Sequence, residues 1–192
     1  MYNIHKKNGF TLIEILVVTS ITMLISVLMV TNLSSKKVDL DDVTKIIVAD
    51  VRFAQTRALS GANHDGEARC GYGIHMINAP EGTYSIYVGP HADTASTCNN
   101  TQYASTEDIE IVTKKLPPGI EFLNVFPDIF FEPPNPKTYI GGGGFQLDGN
   151  PATLTVQPLN YNCNPLANRS NCRSVCIYPS GRITTVIGRT CP

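Results

Sequence analysis

Between Phe10 and Ser60 the chain contains neither glycine nor proline. Each absent breaker removes a place for a helix to stop, so this stretch predicts one continuous helix. At about 1.5 Å per residue, some fifty residues would reach roughly 75 Å, wider than any single small domain. Such a helix must project from whatever follows it. The breakers crowd into the remainder. All 13 Pro lie at or after Pro80, all six Cys at or after Cys70, and only Gly9 among the 15 Gly precedes Gly61.

The helix has two halves. Residues 10–33 open with FTLIEILVVTSITMLISVLMV, about 21 residues with Glu14 as the one charge, long enough to cross a bilayer. The apolar residues surround the helix rather than forming one stripe, which disfavours a core helix. His5, Lys6 and Lys7 precede the span and place the N-terminus in the cytoplasm, although Lys36 and Lys37 follow it. The run is too long for a secretory h-region, and no A-x-A site follows. Charged residues total only 16%, against roughly 25% in a soluble domain, consistent with part of the chain lying outside water. Residues 34–60 are amphipathic. Leu40, Val43, Ile47, Val51, Ala54 and Ala58 recur at spacings of three or four, with Asp39, Asp42, Lys45, Arg52 and Gln55 off the stripe. Gly61 is the stop signal.

Residues 61–192 read as strands and turns. Gly73–Ile77 and Thr83–Val88 predict a hairpin. Glu110–Thr113 and Ile120–Val125 flank the turn Leu116-Pro117-Pro118-Gly119. Ile129–Phe131 and Tyr139-Ile140 are short. Ala152–Gln157, Arg173–Tyr178 and Arg182–Ile187 close the chain, the last two joined by Pro179-Ser180-Gly181. The fold class is therefore α+β, a long N-terminal helix packed on a mainly antiparallel sheet.

The most specific feature is Lys6-Lys7-Asn8-Gly9-Phe10-Thr11-Leu12-Ile13-Glu14. It closely resembles the type IV prepilin signal, shared by prepilins and type II secretion pseudopilins. Within that superfamily, Ala49 to Leu59 and the strand opening with Gly181-Arg182 resemble the FimT/GspH-like minor pilins. The resemblance implies that a membrane prepilin peptidase removes residues 1–9 by cutting between Gly9 and Phe10, then N-methylates Phe10. It also implies assembly, through the N-terminal helix, with other pilins or pseudopilins on an inner-membrane platform. The location implied is a single-pass inner membrane with a periplasmic or extracellular head, then a filament. Pilus and secretion pseudopilus stay open. The chemistry of Glu14 agrees. A charge within a span costs around 2.5–3.5 kcal/mol on the insertion scale and persists only with a partner. No Lys, Arg or His lies between Phe10 and Ser35, and cleavage would create an amine on Phe10.

Cys70, Cys98, Cys163, Cys172, Cys176 and Cys191 admit 15 pairings if all are oxidised. Cys70–Cys98 is placed first, because the other four cluster near the C-terminus. Cys163–Cys172 would staple the loop between them and leave Cys176–Cys191. No metal, cofactor or catalytic centre is expected. Gly141–Gly144 lacks the Lys-Ser/Thr of a phosphate loop. His64, His75 and His91, with Asp65 and Asp93, lack helical ligand spacing. Ser180 does not match G-x-S-x-G. A rival reading is a DNA-capturing minor pilin. After Asp148 there is no acidic residue, while Arg169, Arg173, Arg182 and Arg189 remain as candidate phosphate contacts. Some relatives bind DNA through a terminal G-R-x-R, where this chain has Gly181-Arg182-Ile183-Thr184. A second rival, a monomeric anchor with an enzyme head, lacks a catalytic constellation.

Overall fold

The computed structural model describes residues 11–33, 39–61, 63–79, 81–92, 98, 101–133, 137–141, 149–161, 163 and 171–192, with the backbone alone over 28–33. The chain divides into two units, Met1–Lys37 and Val38–Pro192. The first contains helix α1, Leu12–Leu33. Among the described residues the second contains helix α2, Leu40–Leu59, and eleven strands.

The single helix expected over 10–60 is two helices. Asp39 is in an extended conformation (φ −76°, ψ 127°), and its side chain accepts a hydrogen bond from the Asp41 amide at 3.0 Å. That is an N-cap: a short acidic side chain satisfies an amide that the first turn leaves unpaired. Asp41 and Asp42 in the first turn and Arg57 in the last complement the helix dipole. Absence of Gly and Pro permits a continuous helix but does not oppose a cap this favourable. The other end behaves as expected. The Gly61 amide donates to the Ala58 carbonyl at 3.3 Å, and Gly61 adopts φ 106°, a conformation costly for any residue with a Cβ.

The strands form two antiparallel sheets and a small ribbon. The ribbon pairs β1 (Asn63–His64) with β2 (Glu67–Ala68) around Asp65 (φ 52°) and Gly66 (φ 82°). Two positive-φ residues in succession suit a tight hairpin, which the sequence reading missed. The five-stranded sheet comprises β3 (Tyr72–Asn78), β4 (Thr83–Val88), β5 (Ile109–Lys115), β7 (Ile129–Glu132) and β8 (Lys137–Ile140), in the order β5-β4-β3-β7-β8. The four-stranded sheet takes β6 (Ile120–Phe122), β9 (Ala152–Pro158), β10 (Arg173–Ile177) and β11 (Ile183–Ile187), in the order β11-β10-β9-β6. The turn at Leu116-Pro117-Pro118-Gly119 therefore carries the chain from one sheet to the other rather than closing a hairpin. Gly119 makes it at φ 88°, and the Ile120 amide donates to the Pro117 carbonyl at 3.2 Å.

Helix α2 packs against β3, β4 and β7 of one sheet and β9 and β10 of the other. Its stripe of Val43, Ile47, Val51, Ala54 and Ala58 is buried, with Leu40 partly so. These side chains meet Ile74, Ile86, Phe131, Leu154, Val156 and Val175 in one core. Each large side chain buried there contributes roughly 1.5–3 kcal/mol. In β3 Gly73 has no Cβ because the Tyr87 ring fills that space; a Cβ would lie 2.4 Å from it. A second small cluster joins Cys70, Tyr87 and Phe130 with Cys98 and Tyr103.

Candidate functional site

In α1 every described side chain, from Leu12 to Val27, is exposed, including Leu12 at 83% and Met23 at 73%. A helix apolar on all sides needs an apolar surrounding from outside its own unit. Its hydroxyls are already compatible with one. Thr19, Ser20, Thr22 and Ser26 each donate to a carbonyl three or four residues earlier, at 2.7–3.0 Å. Polar groups satisfied inside the helix ask nothing of lipid or of a neighbouring helix. Glu14, in the first turn, is the exception. Its amide donates to the Thr11 carbonyl at 3.1 Å, but its carboxylate has no partner among the described residues. Gly9 and Phe10 lie outside the described residues. Among those described, no helix is long and apolar enough to cross a membrane, and the span expected over 10–33 begins one residue before them, at Phe10.

The second unit is held on α2 by polar ties as well as by the core. Asp50, buried within the apolar stripe, accepts from the Tyr84 hydroxyl at 2.7 Å and from Lys114 Nζ at 2.6 Å. Burial and the Asp50 carboxylate together push the Tyr84 pKa far above its usual value, so the hydroxyl remains a donor. Gln55 Nε2 donates to the Gly181 carbonyl at 2.9 Å, tying α2 to the β10–β11 turn. Arg173 on β10 binds the Asp41 carboxylate. None of these partnerships has a local signal, because each joins residues far apart in the chain.

The arginines do not form one patch among the described residues. Arg169 lies outside them. Arg173 is paired with Asp41, and its Nη1 also donates to the Cys172 carbonyl at 3.0 Å. Arg182 stacks over the Tyr178 ring, its guanidinium carbon 4.0 Å from the centroid. Arg173 pairs in register with Ile187, at the end of the hairpin far from Arg182. Five residues of strand put roughly 17 Å between them. Arg189 is exposed beyond that same far end.

The cysteines pair as Cys70–Cys98, Cys163–Cys172 and Cys176–Cys191. Among the described residues no group of His, Cys, Asp or Glu is arranged to hold a metal ion. His64, His75 and His91 face different carboxylates: Asp65 at 3.5 Å, Asp128 at 2.8 Å and Glu67 at 3.1 Å. Asp93 and residues 142–144 of the glycine run lie outside the described residues. Ser180 is exposed in the turn ahead of β11. A second buried carboxyl besides Asp50 was missed in the sequence. Asp108 accepts from the Ala104 amide at 2.7 Å through Oδ2, while Oδ1 is buried with no partner among the described residues. Burial, with Glu107 and Asp128 nearby, raises its pKa to about 6 against the Ala104 hydrogen bond and the His75 ring.

A family model describing the prokaryotic N-terminal methylation motif matches residues 4–30, and this is the type IV prepilin signature. No curated protein matches the chain. No solved structure matches it. The motif supports a type IV pilin-like or pseudopilin protein processed by prepilin peptidase, anchored in the inner membrane and then assembled.

Proposed function

We propose, from the premise that residues 4–30 carry the prepilin signature, that this chain is a minor structural subunit of a type IV pilus or type II secretion pseudopilus. The observation that carries the reading is the pairing of that motif with α1, whose described side chains are all exposed and whose one carboxylate has no partner among the described residues. In the reading, residues 1–9 are a leader removed between Gly9 and Phe10, and residues 10–33 span the membrane before assembly. Residues 34–60 continue into the head, 61–192, and α1 is then transferred from lipid into a bundle of like helices. An apolar all-round helix suits both surroundings. Glu14 suits the second, because the Phe10 amine of an incoming subunit neutralises it and fixes the axial register. The head supplies no catalytic constellation among the described residues, and its role is to decorate or cap the filament.

The test is Glu14→Ala in the full chain. Membrane insertion and cleavage are expected to persist, because the span becomes more apolar. Incorporation into sheared filaments is expected to fall, because the amine has lost its counter-charge. Incorporation at the wild-type level would remove Glu14 from the assembly mechanism.

A further inference from the structure

The two sheets present four edge strands, and three of them are guarded against pairing. Edge β5 carries Glu110, Lys114 and Lys115; β8 carries Lys137; β6 is three residues long and carries Glu121. Charges and brevity are the usual protections of an open edge. Strand β11 has neither. Its sequence, Ile183-Thr184-Thr185-Val186-Ile187, is uncharged and wholly β-branched, with no Gly or Pro. Such a segment has high strand propensity and nothing to repel a partner.

The direction of its free hydrogen-bonding groups follows from its pairing with β10. The Tyr178 amide donates to the Arg182 carbonyl at 2.9 Å, and the Gly188 amide donates to the Cys172 carbonyl at 3.1 Å. Backbone groups alternate sides along a strand, so Thr184 and Val186 also face β10. The amides and carbonyls of Ile183, Thr185 and Ile187 therefore face the open edge, where no described residue pairs with them. On the α2 side an open groove lined by Val48, Ala49, Ile183 and Thr185, with Lys45 and Arg52 of α2 also on its wall, leaves that face of the strand uncovered, and Ile187 is 64% exposed.

We propose that β11 is a self-docking edge, through which two copies of this chain join by antiparallel pairing of Ile183–Ile187 about a two-fold axis at Thr185. The occupant is identified by the strand's own symmetry. Reversed on itself about Thr185, the segment sets Ile183 opposite Ile187, Thr184 opposite its isostere Val186, and Thr185 opposite Thr185. The three residues whose backbone groups face outward pair with one another in this register, and each such pair exchanges two hydrogen bonds. The flanking charges agree. Arg182 falls opposite Gly188 and Arg189 opposite Gly181, so no two cations meet across the strands. The exposed Ile187 gains Ile183 of the second copy as its cross-strand neighbour, and the two four-stranded sheets become one. An isologous contact of this kind closes on itself and does not propagate. It is separate from helix packing and does not rest on the pilin reading.

The test uses the full chain in native membranes or detergent. A hydrogen-bonded antiparallel pair holds its Cα atoms about 5.5 Å apart, within disulfide reach. Under mild oxidation Thr185→Cys should give a reducible species of doubled mass. Thr113→Cys, on the guarded edge β5, should remain single. Thr185→Arg sets two cations against each other on the axis without touching the core. Light scattering should find its mass fallen to one chain where wild type shows two. The contact is refuted by Thr185→Cys cross-linking no more than Thr113→Cys, by a cross-link to a different protein, or by equal masses for wild type and Thr185→Arg. The Glu14→Ala variant should still cross-link through Thr185→Cys, so failure of the helix-packing account leaves this result intact.

Discussion

Asp50 on α2 lies 2.6 Å from Lys114 Nζ on β5, across the interface between helix and sheet, while its other oxygen holds the Tyr84 hydroxyl on β4. A carboxylate within an apolar stripe is tolerated because both its oxygens are satisfied. Asp50→Ala removes the acceptor and leaves the Tyr84 hydroxyl buried without one. Lys114 is 38% exposed and recovers water, which moderates the loss. The expected destabilisation is about 2–3 kcal/mol, read from chemical denaturation. Asp50→Leu combined with Tyr84→Phe, which removes both polar partners from the core, should recover much of it. Equal stability of Asp50→Ala and wild type would show that the tie is incidental.

Asp108 gives the head a pH dependence of defined sign. Its folded pKa of about 6 lies above the ordinary 3.8. A raised carboxyl pKa means that the fold favours the neutral form. The contribution is fully present below pH 4 and is lost as pH rises through about 6. Denaturation midpoints should therefore fall between pH 4 and 6 and level off above, with an amplitude on the order of 2 kcal/mol. Asp108→Asn keeps an acceptor for the Ala104 amide and removes the charge. It should flatten that slope and stabilise the protein at pH 7. An unchanged slope in the variant would assign it to another group.

The disulfides should rank by the loops they close. Sequence separations of 28, 15 and 9 for Cys70–Cys98, Cys176–Cys191 and Cys163–Cys172 give about 3.5, about 3 and about 2.5 kcal/mol in the chain-entropy account. Paired Cys→Ala replacements, compared by urea midpoint, should fall in that order. A larger loss on removing Cys163–Cys172 than Cys70–Cys98 would contradict it.

What was legible in the sequence was local. The stripe from Val43 to Ala58 declares its period within one helix, and the strands from Ala152 to Ile187 are bounded by their own turn residues. The three cysteine pairs are also neighbours in sequence order. The break at Asp39 was local too, and was missed because missing breakers outweighed a capping residue that was present. The Asp65-Gly66 hairpin was missed for a different reason, a turn signal with only two strand residues on each side. The division into two sheets was not legible, because Leu116–Gly119 looks alike whether its flanks pair with each other or with distant strands. The role of Asp50 was not legible either, because its partner Lys114 lies 64 positions away in the chain. The N-terminal segment was legible because its motif is a run of consecutive residues that needs no packing to be recognised.

The central claim is that this chain is made as a prepilin and matured at Gly9–Phe10. The direct measurement is the intact mass and N-terminal sequence of the full-length protein recovered from the membranes of its own host. The account predicts a chain beginning at Phe10 and carrying one added methyl group on its amine. Gly9→Val, which places a bulky side chain beside the scissile bond, should hold the protein at its uncut mass. Native protein that begins at Met1, with an unmethylated amine and a mass unchanged by Gly9→Val, would contradict the claim.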